Sequence, residues 1–201
     1  KIKPSYLVSG GASGRNFYNN FNYNFMKVLI IYFSTTIFII FLYSLADLRL
    51  LDAFNLAFTS ISSGGFIPDE SLSNILLNNF QIFVFSITLL FPIFNFFLFH
   101  DIITRKFSFR NYQEDFHLGL LIILLTLFFY FFITNDERFI NILFSILSSI
   151  SNSGLGIHSS KIDLSLFFIL LTIIGGSLIS TSSGFKYTRI YILLKISYQE
   201  I

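Results

Sequence analysis

Two clusters of hydroxyl residues and glycines interrupt otherwise apolar sequence, and both are of a kind that can bind an ion. The first is Ser62-Ser63-Gly64-Gly65, followed by Phe66, and the second is Ser151-Asn152-Ser153-Gly154-Leu155-Gly156. Glycine admits backbone conformations closed to other residues. A loop built around Gly65 or Gly154 can therefore aim successive carbonyl oxygens at one point, and carbonyls can replace the hydration shell of a monovalent cation. On this reading Phe66 and Leu155 pack behind the glycines. Taken singly, each cluster is equally a turn between hydrophobic helices. A third cluster, Gly175-Gly176 followed by Ser180-Thr181-Ser182-Ser183-Gly184 and then Lys186, breaks the last apolar stretch. It reads either as a polar segment able to block a narrow pore or as close helix packing through small residues.

The elements that position these clusters follow from composition. The chain has 201 residues, 54% hydrophobic and 12% charged, with 29 Phe. That charge is about half the share usual in soluble domains, too little to cover a soluble globule, so the expected class is an all-α integral membrane protein. With no Cys there is no disulfide framework, thiolate metal site or cysteine nucleophile, and a net charge of +2 gives no argument for nucleic acid. The first 24 residues are polar and Asn-rich rather than signal-like, and the chain starts without Met, as expected of a fragment or processed chain.

Charges cost about 2.5–3.5 kcal/mol at the bilayer centre, so charge-free intervals map the spans: Val28 to Ala46, Ile75 to Phe99, Leu118 to Asn135 and Leu164 to Phe185. The stretches Ala53 to Ile67 and Phe139 to Ile157 are each split by a Ser/Gly cluster, leaving apolar pieces of about ten residues, which read better as re-entrant helices. Charge distribution supports this. If all six segments cross, the basic residues divide eight inside to five outside; if the two broken stretches enter and leave on one side, they divide ten to three. The expected outer loops then hold Asp47, Asp52, Asp69, Glu70, Asp136, Glu137 and Asp163, and an acidic face attracts cations. Ordinary loop solvation would place acids there equally well.

An offset of 89 residues repeats the pattern. Asp47 and Arg49 fall on Asp136 and Arg138, Ser60-Ile61-Ser62 on Ser149-Ile150-Ser151, and Gly65 on Gly154. The expected architecture is two parallel membrane-pore-membrane repeats with re-entrant pore helices and filter loops. A cytoplasmic segment over residues 1–24 precedes units over 25–104 and 105–201, the second with an interrupted last helix. Short helices entering from outside would point their negative C-terminal ends at a cation held by the loops.

These residues resemble the Trk/Ktr/HKT superfamily of potassium transporters, which carry four membrane-pore-membrane units in one chain. Ser60 to Phe66 is similar to the family's second filter motif, of the form STISTGGFS, and Ser151 to Gly156 to its third. Gly175 to Arg189 aligns without gaps on GGCAGSTGGGLKVIR, a stretch that forms an intramembrane gating loop in relatives; Ile179, Ser182 and Ser183 stand where that stretch has glycines. Leu155 stands where the filter usually has Phe. Asn95 and the basic linker Arg105 to Arg110 resemble the join between units two and three. The resemblance implies K+ as the transported ion, no cofactor, and a gate formed by Gly175, Gly176, Ser180 to Gly184 and Lys186. It also implies a bacterial inner-membrane location, a cytoplasmic nucleotide-binding regulatory subunit, and remaining pore units or a second membrane subunit to complete the pore. A Na+-permeable relative and a truncated, non-conducting scaffold are the alternatives. An enzyme would need a converging cluster, and the candidates His100-Asp101, Asp115 with His117, and His158 are expected at span ends on different faces.

Overall fold

A computed structural model describes residues 14–105, 108–109, 112–132, 138–157 and 165–199. Asp136, Glu137, Asp163, Lys106, Arg110, Lys161 and His158, invoked above, lie outside them. The chain divides into two units, Lys1–Thr35 and Thr36–Ile201. In the first, the described residues belong to helix α1 (Gly14–Leu45). Residues 14–24, expected as a segment apart from the span, are helical and continuous with it.

The second unit holds the end of α1 and then α2 (Leu50–Ser62), α3 (Leu72–Ile75), α4 (Asn79–Thr88), α5 (Leu90–Ile93), α6 (Phe96–Ile103), α7 (Gln113–Phe132), α8 (Phe139–Ile150), α9 (Ser165–Ile173) and α10 (Tyr187–Gln199). Two-residue strands β1 (Ile174–Gly175) and β2 (Phe185–Lys186) pair in parallel between α9 and α10. The fold is thus mostly helical, as the composition requires. Among the described residues two helices are long and apolar enough to cross a membrane, Phe25–Leu45 and Gln113–Phe131. Helices α2 and α8, of 13 and 12 residues, are apolar but short. At 1.5 Å per residue each reaches about 20 Å against a hydrocarbon core of about 30 Å.

Helix α1 stops where Asp47 takes a left-handed conformation (φ 56°), with Leu48 N donating to Tyr43 O and Asp47 N to Ser44 O. This satisfies the final carbonyls in the manner of a Schellman cap. Behind the cap, Tyr43, Phe85 and Phe144 form a fully buried column of rings at 5.8 Å spacings, joining α1, α4 and α8. The Tyr43 hydroxyl meets Thr88 Oγ1 at 2.5 Å, so neither polar tip is left unpaired in the core.

The interval expected to cross as one span from Ile75 to Phe99 is not a single helix. Asn79–Ile93 and Phe96–Ile103 meet at 104°. Pro92 lacks an N–H, Phe94 is extended, and Asn95 starts a new helix by accepting from Phe97 N through Oδ1 at 3.0 Å. Hydropathy registers none of these features.

Gln81 is a buried junction. Its Oε1 accepts from Leu77 N (2.8 Å) and Asn78 N (3.2 Å) at the start of α4, and its Nε2 donates to Ala46 O (3.1 Å) at the end of α1. We expect Gln81→Leu to lower stability by about 2–3 kcal/mol, because it strands three backbone groups. Thermal unfolding of the detergent-solubilised protein checks this, and an unchanged midpoint refutes it.

Candidate ion site

Each short helix ends in a loop, and the two loops share one local design. Ser63 (φ 54°) and Gly65 (φ 69°) follow α2, and Asn152 (φ 62°) and Gly154 (φ 65°) follow α8, at the same offset of 89 residues. Gly64 N donates to Thr59 O and Ser153 N to Ser148 O, both at 3.1 Å. Thr59 Oγ1 donates to Phe66 O at 2.5 Å, and Ser148 Oγ donates to Leu155 O at 2.7 Å. In each loop a helical hydroxyl thus holds the carbonyl just past the positive-φ glycine. Among the described residues, no donor reaches the carbonyls of residues 62–65 or 151–154. These eight backbone oxygens, with no hydrogen-bond donor among the described residues, lie at or just past the C-terminal ends of two helices, whose own dipoles are negative there.

The loops touch. A Cβ built on Gly65 would lie 2.3 Å from the Ser153 carbonyl oxygen. Loop 176–184 reaches both: Thr181 Oγ1 donates to Ile61 O at 2.9 Å, and Asn152 Nδ2 donates to Ser183 O at 3.2 Å. Three separately identified clusters therefore meet in space. Leu155 is 7% exposed, whereas Phe66 is 81% exposed with its ring beside Gly64, where a Cβ would lie 3.3 Å from Phe66 Cδ2.

The third cluster is more constrained than a polar break in a helix needs to be. Ile174 pairs with Phe185 and Gly175 with Lys186, which closes residues 176–184 into a loop. Lys186 Nζ donates to Ser180 O (3.0 Å), Ser180 Oγ (2.8 Å) and Ser182 O (2.6 Å). Outside the loop, Ser177 N donates to Ile93 O (2.9 Å), Ser182 N to Pro92 O (3.0 Å), and Phe96 N to Ile179 O (2.8 Å). The broken helix around Asn95 and the broken last span thus satisfy one another's backbone, which is the condition for irregular chain at membrane depth. Gly176 lies against that junction, where a Cβ would fall 2.2 Å from Ile93 O.

Sequence reasoning missed the helical hydroxyls Thr59 and Ser148, although the 89-residue offset places one on the other. It also missed Glu114, a partner of the loop's surroundings, and weighed Asp115 only as a pair with His117. Neither Asp115 nor His100-Asp101 forms part of a metal cluster, since among the described residues no three His, Cys, Asp or Glu side chains group together. Asp101 instead holds His100 Nδ1 at 3.0 Å and accepts from Tyr112 Oη at 2.6 Å.

The chain shares its fold with a potassium transporter of known structure. The crystal structure of the potassium transporter TrkH from Vibrio parahaemolyticus superimposes with a TM-score of 0.75 over 95% of this chain and 43% of that one, at 21% sequence identity. An uncharacterized cation transporter of Methanocaldococcus jannaschii is 31% identical over 182 residues, 87% of this chain and 36% of that protein. The chain therefore spans less than half the length of either relative. Both are transporters by name rather than enzymes. No protein-family model matches the chain.

Proposed function

We propose that the protein moves K+ across a membrane, with the carbonyls of residues 62–65 and 151–154 as part of a selectivity filter. The observation that carries this is the pair of equivalent, touching loops with unbonded carbonyls at helix C-termini. Such oxygens, costly to leave unpaired in an apolar setting, become favourable when a dehydrated cation completes them. The TrkH fold and the cation-transporter relative support the same reading. In this proposal residues 25–104 and 105–201 are two parallel pore units. Helices α2 and α8 are re-entrant from the outer face, the ends are cytoplasmic, and the setting is a bacterial inner membrane. Further pore units and a cytoplasmic nucleotide-binding subunit are the partners. Loop 176–184 is the gate, since it contacts the last turn of α2 and the second filter loop directly.

The experiment is uptake in cells stripped of their own K+ uptake systems. The protein produced from its complete gene restores growth at low K+ and takes up Rb+, and equimolar Na+ leaves that uptake nearly unchanged. Na+ uptake at the same rate favours the Na+-permeable relative. Absence of flux despite confirmed insertion favours a non-conducting scaffold.

Topology is tested separately. The ten-to-three distribution of basic residues and the shortness of α2 and α8 support a topology with Asp69 outside and Lys106 inside. Single Cys residues at these positions in the Cys-free background label from opposite faces. Labelling from one face rules out the re-entrant arrangement.

A further inference from the structure

The first turn of α7 carries two adjacent carboxylates that neither the filter nor the loop chemistry above employs. Asp115 is 5% exposed, and its Oδ1 accepts from Asn95 N at 2.6 Å. The hydroxyl of Ser177, buried inside the loop, has no hydrogen-bond partner among the described residues. Glu114 Oε1 accepts from Thr188 N at 3.2 Å and from Thr188 Oγ1 at 2.9 Å. The Glu114 carboxylate also attracts the Lys186 ammonium at longer range than an ion pair.

The partners of these two side chains flank the loop on both sides. Asn95 precedes Phe96, whose N–H holds Ile179 O, and Thr188, the second residue of α10, stands two residues after Lys186, which holds Ser180 and Ser182. One turn of one helix therefore fixes the loop's anchor on α6 and its exit into α10. Position favours the arrangement, because carboxylates at a helix N-terminus gain from its dipole. Burial opposes it: a carboxylate in apolar surroundings is costly unless hydrogen-bonded, and ionisable groups in membrane segments mark working sites. The turn is tied in its own right, since Tyr112, the residue preceding α7, donates from its hydroxyl to Asp101 on α6.

We propose that Glu114 and Asp115 form a latch that positions loop 176–184 in its blocking conformation. They act through Asn95 and Thr188 and touch no ion. The inference rests on the gate reading above. Displacing α7 from Asn95 and Thr188 would release the loop at both ends together, whereas losing either contact alone would free one end.

The test compares Glu114→Ala, Asp115→Leu and the pair with the conservative Glu114→Gln and Asp115→Asn, which keep an acceptor oxygen. All are made in the protein from its complete gene, with and without deletion of Ile179–Ser183. Rb+ flux from proteoliposomes is read per folded molecule. The expected result is a rise in basal flux of about tenfold for the pair, corresponding to about 1.4 kcal/mol of lost loop anchoring. The conservative variants stay near the parent. In the loop-deleted background the pair adds nothing. Parental flux in the pair, or an equal rise with and without the loop, overturns the latch. If loop deletion alone leaves flux at the parent level, the gate reading fails and the latch fails with it. If loop deletion raises flux and the carboxylate variants do not, the latch alone fails. Should buried Asp115→Leu prevent folding, the half-buried Glu114→Ala decides, with Thr188→Val reproducing its effect.

Discussion

If the paired loops form the proposed filter, Gly65→Ala should abolish most of the K+ over Na+ preference, whereas Gly154→Ala should leave it largely intact. Both glycines have positive φ, 69° and 65°, so either substitution pays the left-handed penalty of roughly 1–2 kcal/mol. The surroundings separate them. At Gly65 the new methyl would sit 2.3 Å from the Ser153 carbonyl oxygen, while at Gly154 nothing lies within 4 Å. The Gly65 clash involves backbone of the facing loop and cannot be relieved by rotating a side chain. It is relieved only by pushing the two loops apart, which re-aims the carbonyls of both. Overpacking of this kind costs about 1–3 kcal/mol in well-packed cores, so we expect Gly65→Ala to destabilise by about 3 kcal/mol in total. Its selectivity ratio should fall by about tenfold or more, since tenfold corresponds to only 1.4 kcal/mol. Competitive Rb+ and Na+ uptake measures the ratio, and thermal unfolding measures the cost. Equal ratios for the two variants would show that loop contact does not set selectivity.

If loop 176–184 is the proposed gate, Lys186→Met should raise basal flux without altering the K+ over Na+ ratio. The ammonium donates to three oxygens of loop 176–184, two of them carbonyls, at 2.6 to 3.0 Å. Methionine keeps the length and most of the apolar stem but has no donor. The carbonyls of Ser180 and Ser182 then lack this partner in the ordered loop and regain hydration only when the loop opens. Hydrogen bonds from a charged donor contribute about 1.5–3 kcal/mol each. Lys186 is only part-buried, so we take about 2 kcal/mol for the set, which shifts the closed-to-open ratio roughly thirtyfold. Lys186→Arg, retaining charge and donors on a different geometry, should lie between the two. Flux is measured as Rb+ efflux from proteoliposomes at matched protein. Parental flux in Lys186→Met would mean that the staple serves packing, not closure.

Much of this molecule was legible in one dimension. Apolar content pointed to a helical membrane class, and the offset of 89 residues paired Gly65 with Gly154, both of which have positive φ. These succeed because glycine and small-residue clusters encode backbone conformation locally, and hydropathy is a sum over neighbours in sequence. The failures share an opposite origin. The 104° bend at Asn95, the exposure of Phe66, and the fixation of loop 176–184 against Pro92, Ile93 and Phe96 depend on groups far apart in the chain. Asp115 reads in sequence as an acid near an expected span end, and only packing pairs it with Asn95, 20 residues earlier. Glu114 likewise meets Thr188 across 74 residues. Burial turns these ordinary polar residues into obligatory hydrogen-bond partners, because an unpaired polar group away from water is too costly to leave. Which partner each one finds is decided by the tertiary structure alone.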